Sequence, residues 1–340
     1  MEGILSSDNR AGSSGESEVE ILHNNAVSFH APAKQSLRKR VCQRWQLFLF
    51  LLIPVAWVLI FCYYPMMGVQ IAFKNYLPRE GIWGSAWVGL THFVTFFKSF
   101  YFSRTVGNTV RLSLYSLGVG FPLAIIFALM MNLIRRRRFQ KAVQTISYMP
   151  HFISTVVLVG MMNQILNPVT GLYSNIYRLF NPGEYPIDIL SRANAFDHLY
   201  VWSGVWQNLG WNTIIYMAAL SGVDPALHEA AQVDGASRLQ RVWHIDLPVL
   251  LPTASIMLIM NAGTIMSVGF EKVYLMQNSV NSVYSEVIST YVYKTGLGGT
   301  TNQMSYAAAI GLFNNVINGI LLLVVNFASS KLSGGDHSLF

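Results

Sequence analysis

The sequence has 340 residues, 52% of them hydrophobic and only 11% charged, against about 25% charged in an ordinary soluble domain. Apolar runs of about 20 residues recur, long enough to cross roughly 30 Å of hydrocarbon, which excludes a soluble globular domain and predicts an all-α polytopic membrane protein. The net charge of +7 gathers in short segments flanking those runs, as in cytoplasmic loops, which argues against a nucleic-acid surface.

In chain order, residues 1–33 are rich in Ser, Glu, Asn and Gly without apolar periodicity, and read as a disordered tail. No cleavable signal peptide is expected, because the first apolar run starts near Leu47, is too long for a signal core and lacks a small-residue cleavage site. Lys34, Arg38, Lys39, Arg40 and Arg44 precede it as a topology signal. Cys42 and Cys62 stand 20 residues apart on one expected helix, about 30 Å, too far for a disulfide.

Six transmembrane helices are expected at about 46–66, 109–133, 142–166, 199–221, 249–269 and 306–329, with a short tail at 335–340. With the N-terminus inside, 14 of the 23 Lys and Arg fall on the inner side although the outer connections are longer. Arg135, Arg136, Arg137 and Arg138 crowd into a single short inner loop. Both termini are therefore expected to be cytoplasmic, and so is the loop 222–248. The outer connections carry Trp83, Trp87, an aromatic run from Phe93 to Phe102, and Tyr284, Tyr291 and Tyr293. These rings suit either the headgroup level or a docking surface for an external protein.

The inner loop holds more local structure than a plain connection needs. Asp224 can cap a helix whose first position is Pro225. Asp234-Gly235 is turn chemistry, and a second helix is expected to end near Leu247, ahead of Pro248.

Polar side chains inside the spans face the bundle interior or a cavity. The fourth span holds Trp206, Gln207, Asn208, Trp211 and Asn212; the fifth holds Asn261, Thr264 and Ser267, with Glu271 at its outer end; the sixth holds Asn314, Asn315 and Asn318. At about 100° per residue, Asn261, Thr264, Ser267 and Glu271 share one helix face. Amides and hydroxyls beside indole rings suit a neutral polyhydroxylated ligand; the same groups also serve as hydrogen-bonding glue between helices. Charged residues are almost absent from the span centres, which disfavours proton-coupled transport and a cationic cargo.

No G-x-x-x-x-G-K-[ST] occurs. His228-Glu229-Ala230-Ala231-Gln232 resembles a zinc-protease helix only until Gln232, where zinc needs a second imidazole. His151 and His198 read as interfacial or structural, and no metal site or catalytic residue is expected.

Glu229-Ala230-Ala231, Asp234-Gly235-Ala236 and Ile245-Asp246-Leu247-Pro248 fit the pattern E-A-A-x3-G-x9-I-x-L-P. This is the cytoplasmic signature of the integral-membrane permease subunits of bacterial ABC importers, and the chain resembles their maltose-type carbohydrate-uptake group, in its polysaccharide or oligosaccharide branch, from about 44 to 334. Further likeness lies in Trp87-Val88-Gly89-Leu90, Ser147-Tyr148-Met149-Pro150-His151-Phe152-Ile153-Ser154 and Gly311-Leu312-Phe313-Asn314-Asn315-Val316-Ile317-Asn318. The resemblance implies the type I importer permease fold over 34–334, in a bacterial cytoplasmic membrane. It implies a second permease, two ATP-binding subunits seated on 222–248, and an extracytoplasmic sugar-binding protein at the outer loops. ATP and Mg would be bound by the ATPase, and no cofactor by this chain. Glu229, Ala230, Ala231, Asp234, Gly235, Ile245, Leu247 and Pro248 would form the ATPase-coupling segment. Asn261, Thr264, Ser267, Gln207 and Asn315 would line the substrate pathway, with Trp206 or Trp211 supplying the stacking that the fifth span lacks. Another polar solute as cargo, or an intramembrane metalloprotease, are the alternatives.

Overall fold

In the computed structural model, residues 45–298 and 303–332 are described. The expected tails, the basic cluster from Lys34 to Arg44, and Cys42 lie outside them. The chain divides into two compact units, up to Met67 and from Gly68. In the first, α1 (Trp45–Val58) carries Pro54 and no buried residue. A π-helical turn, Leu59–Tyr63, follows it.

The second unit opens with a short antiparallel ladder between β1 (Lys74–Asn75) and β2 (Ala86–Trp87), Lys74 facing Trp87 and Asn75 facing Ala86. After it the regular elements among the described residues are helices, including α2 (Thr91–Lys98), α3 (Phe100–Asn132), α4 (Arg137–Tyr148), α5 (Thr155–Ile165), α6 (Leu172–Phe180), α7 (Ala193–Ser221) and α8 (Pro225–Val233). The chain continues through α9 (Arg238–Arg241), α10 (Leu247–Ala262), α11 (Phe270–Met276), α12 (Ile288–Gly296) and α13 (Met304–Leu332).

Among the described residues, four helical stretches are long and apolar enough to cross a membrane: Trp45–Phe73, Phe100–Asn132, Arg238–Ala262 and Met304–Ser329. Arg137–Phe152 and Thr155–Ile165 together make a fifth if the pair is one span. α7 equals them in length with 29 residues, and its indoles, amides and hydroxyls lower its hydropathy.

Several helices depart from the expected spans for local reasons. α3 starts at Phe100, where the Ser99 hydroxyl accepts from the Tyr101 N–H at 3.1 Å. The stretch 142–166 is two helices bent by 95°. Pro150 sits in a 3₁₀ turn at the break, and the Ser154 hydroxyl caps α5 from the Val157 N–H. The fifth stretch stops being helical at Ala262, and tight i→i+3 bonds take over, Thr264 N–H to Asn261 and Ser267 N–H to Thr264. The helical-face argument for Asn261, Thr264, Ser267 and Glu271 therefore fails. Glu271 lies exposed on the separate helix α11.

α3 and α7 pack along each other and carry the core. At one end Leu112, Val159, Phe196, Val201, Val268 and Val273 bury together; at the other, Ala124 and Ala128 of α3 meet Tyr216 and Leu220 of α7 and Leu250 of α10. α4 crosses α7 at Gly210, where an added Cβ would stand 2.3 Å from the Ser147 carbonyl oxygen. Part of the aromatic run forms a third core, while Phe97, Phe100 and Tyr101 stay exposed. Phe96 is 1% exposed and packs against Phe102, Tyr291, Tyr306 and Phe313, a neighbourhood built by α2, α3, α12 and α13. Tyr76 joins the ladder to α13 by donating its N–H to Ser305 Oγ at 2.8 Å.

Candidate functional site

Two places gather the sequence-predicted residues: the segment 222–248, and a pair of internal cavities between α3, α7 and α10.

The segment is built by capping. Asp224 Oδ1 accepts from the Ala226 N–H at 2.9 Å, with Pro225 at the first position of α8. α8 ends in a Schellman motif: Ala236 N–H bonds Ala231 O at 2.9 Å, Gly235 N–H bonds Gln232 O at 3.2 Å, and Gly235 holds φ +78°. Glycine is required there because other residues pay for that backbone region. Ser237 then caps α9 reciprocally with Gln240, each side chain accepting from the other's backbone N–H.

The second helix does not end before Pro248. α9 passes through a π turn, Val242–Asp246, directly into α10, and the Leu247 N–H bonds back to Val242 O. A proline ring inside an α-helix clashes with the carbonyl four residues earlier. The wider π turn relieves that clash and lets the helix run on through Pro248.

Glu229, Ala230, Asp234, Gly235 and Pro248 are exposed, and Ala231, Ile245 and Leu247 half-buried. The same segment exposes the apolar side chains Leu227, Val233, Leu239 and Trp243. Within it, Asp246 is 2% exposed. Its Oδ1 lies 3.2 Å from His228 Nε2 and accepts from Asn132 Nδ2 at 3.3 Å. The loop is thereby fastened to the end of α3. His228 thus faces a carboxylate, and no group of three or more His, Cys, Asp or Glu able to hold a metal occurs among the described residues.

The first cavity, about 290 Å³, is lined by Ser113 and Ser116 of α3, Tyr200, Asn212 and Tyr216 of α7, and by Asn261, Thr264 and Ser267. The turn after α10 brings these last three to one wall. A second cavity, about 270 Å³, shares Ser116, Gly120, Tyr200 and Asn212 with the first, and adds Gln207, Asn208 and Lys272. No carboxylate lines either one.

Gln207 lines the second cavity while donating to Ile153 O at 2.7 Å. Trp206, Trp211 and Asn315 line neither cavity and are exposed. Trp211 stacks on the His151 ring with centroids 4.3 Å apart. On α13 it is Asn318, not Asn315, that reaches inward: its Oδ1 accepts from the Met266 N–H at 2.9 Å, and its Nδ2 donates to Ser267 Oγ at 2.8 Å. That pair joins helices, as polar residues in a bundle do.

Sequence reasoning missed Lys272 and Ser116. Lys272 reads as one more basic residue beyond a span. Only the packing of α11 against α5 and α7 buries it to 8% exposure. Ser116 is an unremarkable serine in an apolar run, and its buried Oγ has no hydrogen-bond partner.

Comparison with known proteins identifies the family. Residues 120–333 match the family described as "Binding-protein-dependent transport system inner membrane component". The chain is 38% identical over 323 residues to the polygalacturonan/rhamnogalacturonan transport system permease protein YteP of Bacillus subtilis, covering 95% of this chain and 99% of that protein. It is 39% identical over 288 residues to protein LplB of the same organism, covering 85% and 89% of the two chains. Among solved structures, it superposes with a TM-score of 0.79 at 39% identity on a chain of a bacterial ABC transporter involved in the import of the acidic polysaccharide alginate, covering 87% of this chain and 99% of that one. A structure of the alginate transporter with its pentasaccharide-bound periplasmic protein matches with a TM-score of 0.80 at 38% identity, covering 89% and 99% of the two chains. The chain belongs to the binding-protein-dependent transport system inner membrane components, and is a multi-pass membrane permease subunit rather than an enzyme.

Proposed function

We propose that this permease is the membrane-spanning subunit of an ATP-driven importer that carries an oligosaccharide across the cytoplasmic membrane. It works beside a second permease, over two ATP-binding subunits that hold the ATP and Mg, and receives sugar from an extracytoplasmic binding protein. In this reading six spans cross the membrane, α7 is the polar one among them, both termini are cytoplasmic, and 222–248 meets the ATPase.

The observation that carries the reading is the construction of that segment. Glu229 stands on a capped helix, in a segment that exposes Leu227, Val233, Leu239 and Trp243, which is the character of a protein-docking patch with an apolar centre. α9 runs through the π turn into α10, so a push on the segment reaches the helix that carries Asn261 and leads into the turn with Thr264 and Ser267. Amides, hydroxyls and the Tyr200 and Tyr216 rings along that wall suit sugar hydroxyls and faces. Similarity to permeases named for polygalacturonan, rhamnogalacturonan and alginate supports a carbohydrate over other polar solutes.

The test is reconstitution in proteoliposomes with the partner subunits and the binding protein. ATPase activity should depend on sugar. Glu229→Arg, which reverses the charge at the patch, and Gly235→Pro, whose ring cannot adopt φ +78°, should uncouple hydrolysis from transport. Normal transport in both variants would sink the coupling assignment.

A further inference from the structure

We propose that the cavity between α3, α7 and α11 is an anion subsite on the transport pathway, where Lys272 receives the carboxylate of an acidic sugar residue such as a hexuronate. The inference rests on the carbohydrate reading above and names the class of sugar.

Lys272 is 8% exposed, and among the described residues it forms no ion pair. The single oxygen that it reaches is the Tyr200 carbonyl, at 2.8 Å, while its ammonium lies 4.7 Å from the centre of the Tyr200 ring. An ammonium has three N–H donors, and one carbonyl cannot satisfy them. Burying a cation without a counter-ion is costly, so ionisable groups kept in such places mark pathways or ligand sites. Burial pulls Lys272 down to about 8, which still leaves most of it protonated at neutral pH.

The surroundings complete a receptor for a carboxylate on a sugar. Gly204 makes room for the ammonium, since a Cβ there would stand 3.3 Å from Nζ. Asn208 and Asn212 line the same space, and Ser116 lies on the wall shared with the first cavity. The second cavity thus offers a positive charge to an acid group, while the first offers neutral amides and hydroxyls to the rest of the chain. Among the described residues no carboxylate lines either wall to compete for the ammonium.

The experiment uses the reconstituted complex with its binding protein and two probes: trigalacturonate, and the same trisaccharide with its carboxyl groups reduced to hydroxymethyls. Uptake is measured for each, and their acidic-to-neutral ratio is compared between variants. The binding protein is the same throughout, so its own selectivity cancels. Lys272→Gln should lower the ratio tenfold or more, and Lys272→Arg should retain it. An unaltered ratio, or an equal fall for both sugars, overturns the proposal and leaves the carbohydrate reading standing. If neither sugar stimulates ATPase, both readings fall. A measurement on the unsubstituted protein covers a variant that does not assemble: carbamylation of Lys272 by cyanate, followed by mass spectrometry. It should slow several-fold with trigalacturonate and not with the reduced sugar. Equal protection by both, or by neither, overturns the subsite.

Discussion

His228 on α8 and Asp246 at the foot of α10 are joined by a 3.2 Å contact between an imidazole nitrogen and a carboxylate that is 2% exposed. Asn132 at the end of α3 bonds the same carboxylate oxygen. Three elements distant in sequence therefore meet at one oxygen atom, and the exposed Glu229 next to His228 stands on a platform tied to two long helices. Under the proposed coupling, a load applied at Glu229 would enter the bundle by two routes, one through α9 into α10 and one through Asp246 into α3.

That latch is measurable. Removing one partner of a buried pair leaves the other uncompensated; because the His228 side chain is 28% exposed, water offsets part of the loss. His228→Ala and Asp246→Asn should each cost about 1–3 kcal/mol, and the double variant less than their sum, with a coupling of about 1 kcal/mol or more in a double-mutant cycle. Thermal unfolding in detergent reads this. Strict additivity of the two losses would remove the latch.

Gly210 and Gly118 form a contrasting pair. A Cβ on Gly210 would stand 2.3 Å from the Ser147 carbonyl oxygen and 2.8 Å from its hydroxyl, whereas one on Gly118 meets nothing within 4 Å. Gly210→Ala should destabilise by about 1–3 kcal/mol, because the clash is with backbone and overpacking is not relieved by rotamer change. Gly118→Ala should be neutral or stabilise by up to about 1 kcal/mol through helix propensity. Melting temperatures of the two purified variants, side by side, decide it.

Asn318 holds the turn after α10 in place through Met266 and Ser267. Asn318→Leu removes both bonds and leaves the buried Met266 N–H without an acceptor, at a cost of about 1–3 kcal/mol. Asn315, exposed on the same helix, should tolerate Leu within about 0.5 kcal/mol. Limited proteolysis around 263–269 should quicken for the first variant and not for the second.

Lys272 links stability to pH. Burial lowers it from 10.5 to about 8. Between those two values the unfolded chain holds a proton that the folded chain has released, so stability rises with pH across that window. Below about 8 the charge is present in both states and its burial cost is constant. Tyr200 is the other titratable side chain lining that cavity. Lys272→Met should therefore melt at higher temperature than the unsubstituted protein at pH 7, by an amount worth a few kcal/mol at most. The gap should narrow steadily from pH 8 toward pH 10. A gap independent of pH would mean that the ammonium is not desolvated.

Much of the fold was legible because lipid imposes a simple rule: a chain that must satisfy its backbone inside hydrocarbon forms long apolar helices. The caps at Asp224 and Ser237 and the glycine at 235 act over a few residues, so the 222–248 segment was readable as two helices and a corner. Pro248 was misread because its local penalty is real, but a π turn absorbs it. The break at Ala262 was missed for a related reason, since 249–269 stays apolar while its backbone changes from helix to turns. Phe96 and its neighbours read as rings suited either to the headgroup level or to a docking surface. Phe96 is core, because α12 and α13 return from far along the chain to cover it, whereas Phe97, Phe100 and Tyr101 stay exposed.

The sequence alone determined what depends on composition and short spacing: helical spans, a structured polar segment exposing Glu229, no nucleotide-binding loop, and amides and hydroxyls within apolar runs. The tertiary structure decided which of those polar groups share a space. It brought Asn261, Thr264 and Ser267 to one cavity wall, sent Trp206, Trp211 and Asn315 elsewhere, and buried Lys272 beside Tyr200. The reason is physical. Caps and apolar runs act between near neighbours, whereas burial and the neutralisation of a charge depend on which distant helices pack around it.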